Sequence, residues 1–142
     1  MYNFNAAQQT ENLIKWIKDW FDENGKGCNA VLGISGGKDS TIAAALCAKA
    51  LGADRVIGVM LPDGEQSDIN DSIEVCRLLG IRNYTINIRS ALEASFKQMQ
   101  DCGIEITKQC RQNIAPRERT KMIRAVCQCN NCLLYTSDAA DD

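Results

Sequence analysis

Apolar residues along this chain follow two spacings, one typical of buried strands and one typical of helices. Three short apolar runs, rich in β-branched residues, predict strands at 30–34, 55–60 and 83–88. Around them, apolar residues three and four positions apart predict helices, counted with their capping residues, at 5–24, 41–51, 67–79, 91–101 and 113–128. Because strands alternate with helices, we expect an α/β fold: a parallel, Rossmann-like sheet with helices on both faces.

The ends of these helices carry recognisable signals. Asn5 and Ser67 are candidate N-caps, because their side chains can accept hydrogen bonds from the free amides of a first helical turn. Gly80 is placed to end the third helix, since glycine adopts the left-handed conformation that helix ends favour. Pro116 is expected only in a first turn, so the last helix is predicted to begin near Asn113.

The stretch from Gly33 to Ser40 joins the first strand to the second helix and has the composition of a phosphate-binding turn. The first amides of a helix have no intrahelical partner and carry the positive end of the helix dipole, so they attract anions. Gly36 and Gly37 carry no Cβ atoms that would hold a phosphate away, and glycine allows positive φ where the chain must fold round it. We therefore expect a phosphate group to bind here.

Four polar side chains add chemistry to this turn. Ser35 and Ser40 supply hydroxyl donors, and Lys38 supplies a positive charge. Asp39 is placed where a carboxylate could hold Mg²⁺, which typically takes one or two carboxylates plus phosphate oxygens. The positions of the glycines and of the lysine exclude both a Walker loop and a Gly-x-Gly-x-x-Gly dinucleotide fingerprint.

A second loop, 61–66, follows the second strand and contains the Pro-x-Gly sequence of a turn. Because ligands of parallel sheets bind beyond the carboxyl ends of the strands, we expect this loop and the 33–40 turn at one edge. On the last helix, Arg117, Lys121 and Arg124 share one face, which is either a solvated surface or a binding surface. Arg119 lies off that face.

Composition narrows the function classes. The chain has 142 residues, enough for one domain, and a net charge of −2 without a lysine or arginine block. We therefore expect a cytoplasmic protein that binds neither nucleic acid nor membrane. The absence of histidine excludes Ser-His and Cys-His catalysis and histidine metal sites. The eight cysteines are expected to be reduced and mostly buried.

The character of the sequence changes at Cys129. Neither a helical nor a strand period continues beyond 128, and 136–142 is small, polar and acidic. We therefore expect one domain over 1–128, followed by a non-native or disordered tail over 129–142, and a native chain that continues further.

The sequence Ser-Gly-Gly-Lys-Asp-Ser at 35–40 resembles the Ser-Gly-Gly-x-Asp-Ser loop of the ATP pyrophosphatases, which cleave ATP between the α and β phosphates. Within that superfamily the chain is most similar to ammonia-dependent NAD synthetase. Besides the turn, segment 61–68 matches, and 113–119 looks like the family's Asn-x-x-x-Arg-x-Arg helix start. The resemblance covers 1–128. It implies an incomplete adenine nucleotide alpha hydrolase-like fold, since the family's later segments are absent.

The resemblance also implies a reaction. Deamido-NAD, ATP and ammonia would give NAD, AMP and pyrophosphate through an adenylate, with Lys38 and Asp39 in the chemistry, Mg²⁺ on Asp39 and deamido-NAD on Arg117. The implied ATP contacts are Gly33, Ile34, Ser35, Gly36, Gly37, Lys38, Asp39, Ser40 and Gln66. A full-length homodimer is implied as well. Because later segments supply further ligands in the family, the 142-residue chain is predicted not to turn over by itself.

Two alternatives stay open. Cys127, Cys129 and Cys132, together with Cys110, could form a thiol or zinc cluster, and tRNA-thiolating ATP pyrophosphatases use cysteines with the same ATP loop. The other alternative is a non-catalytic nucleotide-binding module like the universal stress proteins, which share this sheet architecture but lack the Ser-Gly-Gly-x-Asp-Ser loop. Release of pyrophosphate that depends on deamido-NAD would separate an enzyme from a binder.

Overall fold

The computed structural model describes residues 3–65, 68–130 and 132–134. Within these ranges the helices are α1 (Ala6–Asn24), α2 (Lys38–Leu51), α3 (Ile69–Leu79), α4 (Arg89–Asp101) and α5 (Lys108–Cys129), with a 3₁₀ turn at Ala53–Arg55. The strands are β1 (Asn29–Gly33), β2 (Val56–Met60), β3 (Arg82–Thr85) and β4 (Cys132–Leu134). All four pair in parallel, in the order β3-β2-β1-β4. The predicted parallel α/β sheet is confirmed.

The sheet separates two apolar cores, so the prediction of helices on both faces is also confirmed. The core beneath α1, α2 and α3 includes Ile17, Phe21, Ala30, Leu32, Ala44, Cys47, Val56 and Cys76. The core beneath α4 and α5 includes Val31, Ile57, Val59, Leu92 and Cys127. Because neighbouring strand residues such as Val31 and Leu32 enter opposite cores, the strands appear in the sequence as continuous apolar runs.

The helix caps agree with the sequence where they can be compared. The Asn5 side chain accepts a hydrogen bond from the Gln8 amide at 3.1 Å and caps α1. Gly80 follows α3 with a φ of +69°, in the left-handed region. Ser67, the predicted cap of α3, lies outside the described residues, and Asp68 occupies the N-cap position.

β3 is shorter than predicted because its neighbouring segment contains a proline. The predicted strand continues to 88, whereas β3 ends at Thr85. The amides of Ile86 and Ile88 still donate to the carbonyls of Met60 and Pro62, both at 2.9 Å. Pro62 has no N–H to return, so the ladder stops there.

The predicted start of the last helix near 113 is wrong. α5 begins earlier, where the Thr107 hydroxyl accepts a hydrogen bond from the Cys110 amide at 3.1 Å. Pro116 therefore lies inside the helix. Proline removes one backbone hydrogen bond, and apolar packing of neighbours such as Ile114 on the core beneath α4 and α5 supports the helix on either side of it.

The end of the described chain contains an element that was not predicted. β4 pairs in parallel with the first residues of β1, with Cys132 opposite Asn29. The domain boundary at 128 and the non-native tail stay predictions. Within the described ranges, no helix combines the length and the apolar character needed to cross a membrane.

Seven cysteines have described side chains, and no disulfide joins any two of them. Cys47, Cys76 and Cys127 are buried, Cys28 and Cys110 are half-buried, and Cys102 and Cys129 are exposed. The expectation that most cysteines are buried is therefore wrong for these seven. The buried ones belong to helix faces that contact the sheet, whereas Cys102 and Cys129 lie at helix ends.

Candidate functional site

The turn between β1 and α2 presents the backbone amides of a helix start. α2 begins at Lys38 with Gly37 as its N-cap, so the amides of its first turn have no partner within the helix. The Ser40 hydroxyl donates to the Gly37 carbonyl and accepts from the Ser35 amide, both at 3.2 Å. These bonds fold the turn round the helix start and leave its amides available to an anion.

The two glycines of this turn have different conformations. Gly36 has a φ of +86°, whereas Gly37 has a φ of −79°, which any residue adopts. A Cβ atom on Gly36 would lie 3.2 Å from Ser72 Oγ and 3.4 Å from Asp68 Oδ2. On Gly37, the nearest atom would be Ser35 Oγ at 3.4 Å. Gly36 is thus required by the fold itself, and Gly37 leaves space at the helix start for a ligand.

The loop after β2 is held by the loop after β3. The Asn87 side chain accepts a hydrogen bond from the Gly64 amide at 3.1 Å and donates one to the Gly64 carbonyl at 2.9 Å. Arg89 Nε lies 2.8 Å from Asp63 Oδ1. A Cβ atom on Gly64, whose φ is +75°, would lie 3.5 Å from Arg89 Nε, so this guanidinium covers the turn. These contacts fix the second loop at the carboxyl end of the sheet.

A cavity of about 430 Å³ lies where the two loops meet, which confirms that they share one edge of the sheet. Its volume is in the range of small-molecule sites. Apolar lining comes from Leu32, Ile34, Val59, Met60, Leu61, Pro62, Ile69 and Ile123. Polar side chains at its wall belong to Ser35, Asp39, Ser40, Asp68, Ser72, Arg119 and Thr120. The cavity therefore combines an apolar surface with the turn that was predicted to bind phosphate.

The cavity gathers part of the predicted site. The predicted ATP contacts that line it are Gly33, Ile34, Ser35, Asp39 and Ser40. Gly36, Gly37 and Lys38 belong to the same turn without lining the cavity, and Lys38 is exposed. Gln66 lies outside the described residues. Arg117 is exposed and does not line the cavity, so the structure does not bring it together with the turn.

Four polar residues of the cavity had no role in the sequence-based hypothesis, namely Asp68, Ser72, Arg119 and Thr120. Arg119 is half-buried, and its Nε donates to the Leu61 carbonyl at 3.0 Å. Ser72, on α3, is 2% exposed. The Asn-x-x-x-Arg-x-Arg pattern contained a signal for Arg119, because arginines two positions apart point to different sides of a helix. For Ser72 there was none, since a serine within a helical pattern is equally typical of a solvated face.

The carboxylates at the cavity fit a magnesium ion. Asp39 and Asp68 both line it, and neither forms an ion pair with another described residue. Asp68 occupies the N-cap of α3 without a side-chain capping bond. Carboxylate oxygens beside a phosphate site are the donors that Mg²⁺ takes in nucleotide-binding proteins.

The cysteine alternative gains no support from the described residues. None of their His, Cys, Asp and Glu side chains form a group of three or more that could hold a metal ion. Cys127 is 6% exposed within the core beneath α4 and α5, whereas Cys129 is exposed. The side chain of Cys132 lies outside the described part of the chain.

Comparison with known proteins identifies the family. The sequence model of the NAD synthase family matches residues 9–141. The chain belongs to the NAD synthase family. An NH3-dependent NAD+ synthetase from Thermococcus kodakarensis is 36% identical to this chain over 140 residues. The alignment covers 98% of this chain and 53% of the relative. The family favours neither the tRNA-thiolating nor the non-catalytic alternative.

Solved structures of NAD synthase-like proteins have the same fold. The NH3-dependent NAD synthetase from Campylobacter jejuni, in complex with the nitrate ion, superposes with a TM-score of 0.81 at 27% identity, covering 92% of this chain and 56% of that one. The NMN synthetase from Francisella tularensis also gives a TM-score of 0.81, at 28% identity, covering 93% of this chain and 54% of that one. The chain spans about half the length of the curated relatives it matches.

Proposed function

We propose that this chain is the ATP-binding part of an ammonia-dependent NAD synthetase, which converts deamido-NAD, ATP and ammonia to NAD, AMP and pyrophosphate. The observation that carries the proposal is the turn at 33–40, whose helix-start amides and Asp39 lie at a cavity of about 430 Å³. The 36% identity to an NH3-dependent NAD+ synthetase supports this reaction over nucleotide binding alone.

The proposed reaction has two steps. A carboxylate oxygen of deamido-NAD attacks the α-phosphorus of ATP, and pyrophosphate leaves with the electron pair of the broken P–O bond. The ammonia nitrogen then attacks the acyl carbon of the adenylate, AMP leaves with its oxygen, and the nitrogen loses a proton. The first step brings two anions together, so negative charge must be neutralised for it to proceed.

The turn supplies this neutralisation in the proposal. The amides at the start of α2 and the ammonium group of Lys38 stabilise the charge on pyrophosphate as it leaves. The Ser35 and Ser40 hydroxyls donate hydrogen bonds to phosphate oxygens. The Asp39 carboxylate would hold Mg²⁺, which when bound supplies further charge neutralisation at the phosphates.

The remaining contacts in the proposal concern the substrates. Gln66 contacts the adenosine part of ATP, and Arg117 contacts deamido-NAD. Arg117 is exposed on α5 outside the cavity, which suits a second substrate that approaches from solvent. A homodimer, a cytoplasmic location and the inactivity of the 142-residue chain alone also belong to the proposal.

A second candidate reaction differs only in the substrate. The NMN synthetase structure superposes as well as the NAD synthetase structure, with a TM-score of 0.81 for both, so the fold does not separate the two products. Amidation of nicotinate mononucleotide would use the same chemistry. Curated relatives that match the chain at 30–39% identity are NH3-dependent NAD+ synthetases, which favours deamido-NAD.

The proposal is tested by binding and by turnover. Calorimetry of the 142-residue chain with Mg-ATP measures binding, and we expect Asp39→Asn to weaken it about ten-fold or more, because a metal ligand is lost. Asp54→Asn is the matched control, since Asp54 is exposed in the 3₁₀ turn beyond the far end of α2.

Turnover is measured in a chimaera that joins residues 1–128 to the C-terminal half of the Thermococcus kodakarensis relative. We expect pyrophosphate release from ATP that depends on deamido-NAD, and less with nicotinate mononucleotide. Two results would contradict the proposal. One is pyrophosphate release that depends on neither deamido-NAD nor nicotinate mononucleotide, and the other is Mg-ATP binding that is equal in the wild type and Asp39→Asn.

A further inference from the structure

Arg119 occupies a different environment from the other cations of α5. Arg119 is half-buried and lines the cavity, whereas the other cations of α5 are exposed, namely Lys108, Arg111, Arg117, Lys121 and Arg124. Two positions along a helix correspond to about 200° of rotation, so Arg117 and Arg119 cannot serve the same surface. Among the described residues of α5, the arginine that lines the cavity is therefore Arg119, and not Arg117, to which the family resemblance assigned deamido-NAD.

The Arg119 side chain is held in place from the sheet side. Its Nε donates to the Leu61 carbonyl at 3.0 Å, a contact between residues 58 positions apart. Leu61 follows the end of β2 and is 7% exposed, so the acceptor is itself fixed. This bond uses one guanidinium donor and fixes the plane of the group. Pre-organised donors of this kind lose little entropy when a ligand binds.

The remaining donors of Arg119 have no anionic partner in the described part of the chain. No ion pair of Arg119 forms with a described carboxylate, and Asp63, on the same loop as Leu61, pairs with Arg89 instead. A half-buried guanidinium costs solvation free energy unless something in the cavity interacts with it. A ligand bound in the cavity would supply that interaction.

The location of Arg119 indicates which part of a nucleotide it meets. The phosphate end of the cavity is set by the start of α2, near Ser35 and Asp39. The anchor of Arg119 at Leu61 places it beside the apolar lining that Met60 and Pro62 contribute at the end of β2. An apolar surface with one planar cation suits a purine ring, because a guanidinium stacks on aromatic faces and donates to ring nitrogens.

From this geometry we infer that Arg119 contacts the adenine base of ATP and is a specificity-determining residue of the site. The inference rests on the proposed function and adds to it the residue that binds the base. It separates the roles of the two arginines of the Asn-x-x-x-Arg-x-Arg segment: Arg119 belongs to the nucleotide, and Arg117 to the proposed second substrate.

Calorimetry with two probes tests this assignment on the 142-residue chain. Mg-ATP carries both base and phosphates, and Mg-tripolyphosphate carries phosphates alone. We expect Arg119→Met to weaken Mg-ATP binding about ten-fold or more and to leave tripolyphosphate binding unchanged. Arg119→Lys keeps the charge but loses the planar guanidinium group. Its affinity for Mg-ATP should therefore lie between those of the wild type and Arg119→Met. Arg124→Met is the matched control, since Arg124 is exposed on the same helix.

The outcomes separate the hypotheses. An equal loss of tripolyphosphate and ATP binding in Arg119→Met would assign the guanidinium to the phosphates and overturn the inference, as would unchanged ATP binding. Wild-type chain that binds neither probe would overturn the proposed function together with the inference. Circular dichroism checks folding. If Arg119→Met fails to fold, Arg119→Lys replaces it in the comparison of Mg-ATP with Mg-tripolyphosphate binding. Arg119→Lys is expected to fold because it retains a donor for the Leu61 carbonyl.

Discussion

At the scale of single residues, the adjacent glycines of the turn serve different purposes. Gly36 combines a φ of +86° with the close approach of Ser72 Oγ and Asp68 Oδ2. Gly37 has an ordinary φ of −79° and looser surroundings. From the sequence alone, both glycines were explained by phosphate binding. Only the backbone geometry separates a glycine that the fold requires from one that a ligand requires.

Alanine substitution should separate these purposes. We expect Gly36→Ala to lower the free energy of unfolding by about 1–2 kcal/mol, because a Cβ atom is strained at this φ and crowds Ser72. Gly37→Ala should change it by less than about 0.5 kcal/mol and still weaken Mg-ATP binding, since its Cβ atom occupies ligand space. Urea unfolding and calorimetry measure the two effects. Equal destabilisation by both substitutions would contradict this distinction.

The cavity shows where residue-level prediction stops. The turn at 33–40 could be singled out from the sequence as a candidate phosphate site, because glycine, serine and aspartate at fixed spacing have few other uses next to a strand and a helix. Ser72 could not be found in this way, and for Arg119 the only signal was the spacing of two arginines, because the roles of both residues depend on how α3 and α5 are rotated against the sheet. That rotation is set by packing between distant segments.

At the scale of secondary-structure elements, α5 packs against β1 through a position without a side chain. A Cβ atom on Gly33 would lie 2.9 Å from Ile123 Cδ1. Gly33 was predicted as an ATP contact, and it also lines the cavity. Its lack of a side chain thus allows α5 to approach the end of β1 closely and keeps Arg119 and Ile123 at the cavity wall.

This packing predicts an interaction between two substitutions. Gly33→Ala should lower the free energy of unfolding by about 1–3 kcal/mol through overpacking. Ile123→Val removes the Cδ1 atom that the new Cβ atom would meet, so the double variant should be more stable than the sum of the single effects. Denaturant unfolding of the four proteins gives the coupling free energy. A coupling near zero would show that the contact does not limit the approach of α5.

The order of the elements from α1 to α5 could be predicted from the sequence, but the start of α5 and the end of β3 could not. Strand and helix periods locate each element from α1 to α5, because one face or two faces of each are apolar. α5 was predicted too short because Pro116 resembles a helix start when only local rules are applied. β3 was predicted too long because the effect of Pro62 acts across the sheet, not along the chain.

At the scale of the whole molecule, burial of thiols links stability to alkaline pH. Burial raises the pKa of the Cys47 thiol from an ordinary value of 9.0 to about 11. Burial also raises the pKa of the Cys76 thiol. Between pH 9 and 11 the unfolded chain therefore releases a proton from Cys47 that the folded chain retains. The free energy of unfolding must fall as the pH rises through this window, and well below pH 9 this group contributes no pH dependence.

Chemical unfolding between pH 8 and 10.5 tests this link. We expect Cys47→Ala to show a fall in unfolding free energy that is smaller than that of the wild type by about 1–2 kcal/mol, because one pKa unit corresponds to about 1.4 kcal/mol. Cys102→Ala is the control, since Cys102 is exposed and should leave the pH profile unchanged. If the unfolding free energy of Cys47→Ala fell with pH as steeply as that of the wild type, the buried Cys47 thiol would not be the source of the pH dependence.

The double hydrogen bond between the Asn87 side chain and Gly64 has an evolutionary consequence. The Asn87 side-chain amide pairs with the Gly64 backbone through one donated and one accepted hydrogen bond, as a residue of a neighbouring strand would. The surface segment after β2 is therefore tied to the sheet. Surface segments usually accept insertions and deletions freely. In homologous chains that retain these two hydrogen bonds, the number of residues from the end of β2 to Gly64 should be constant. Insertions and deletions should instead accumulate in connections such as the one between α4 and α5.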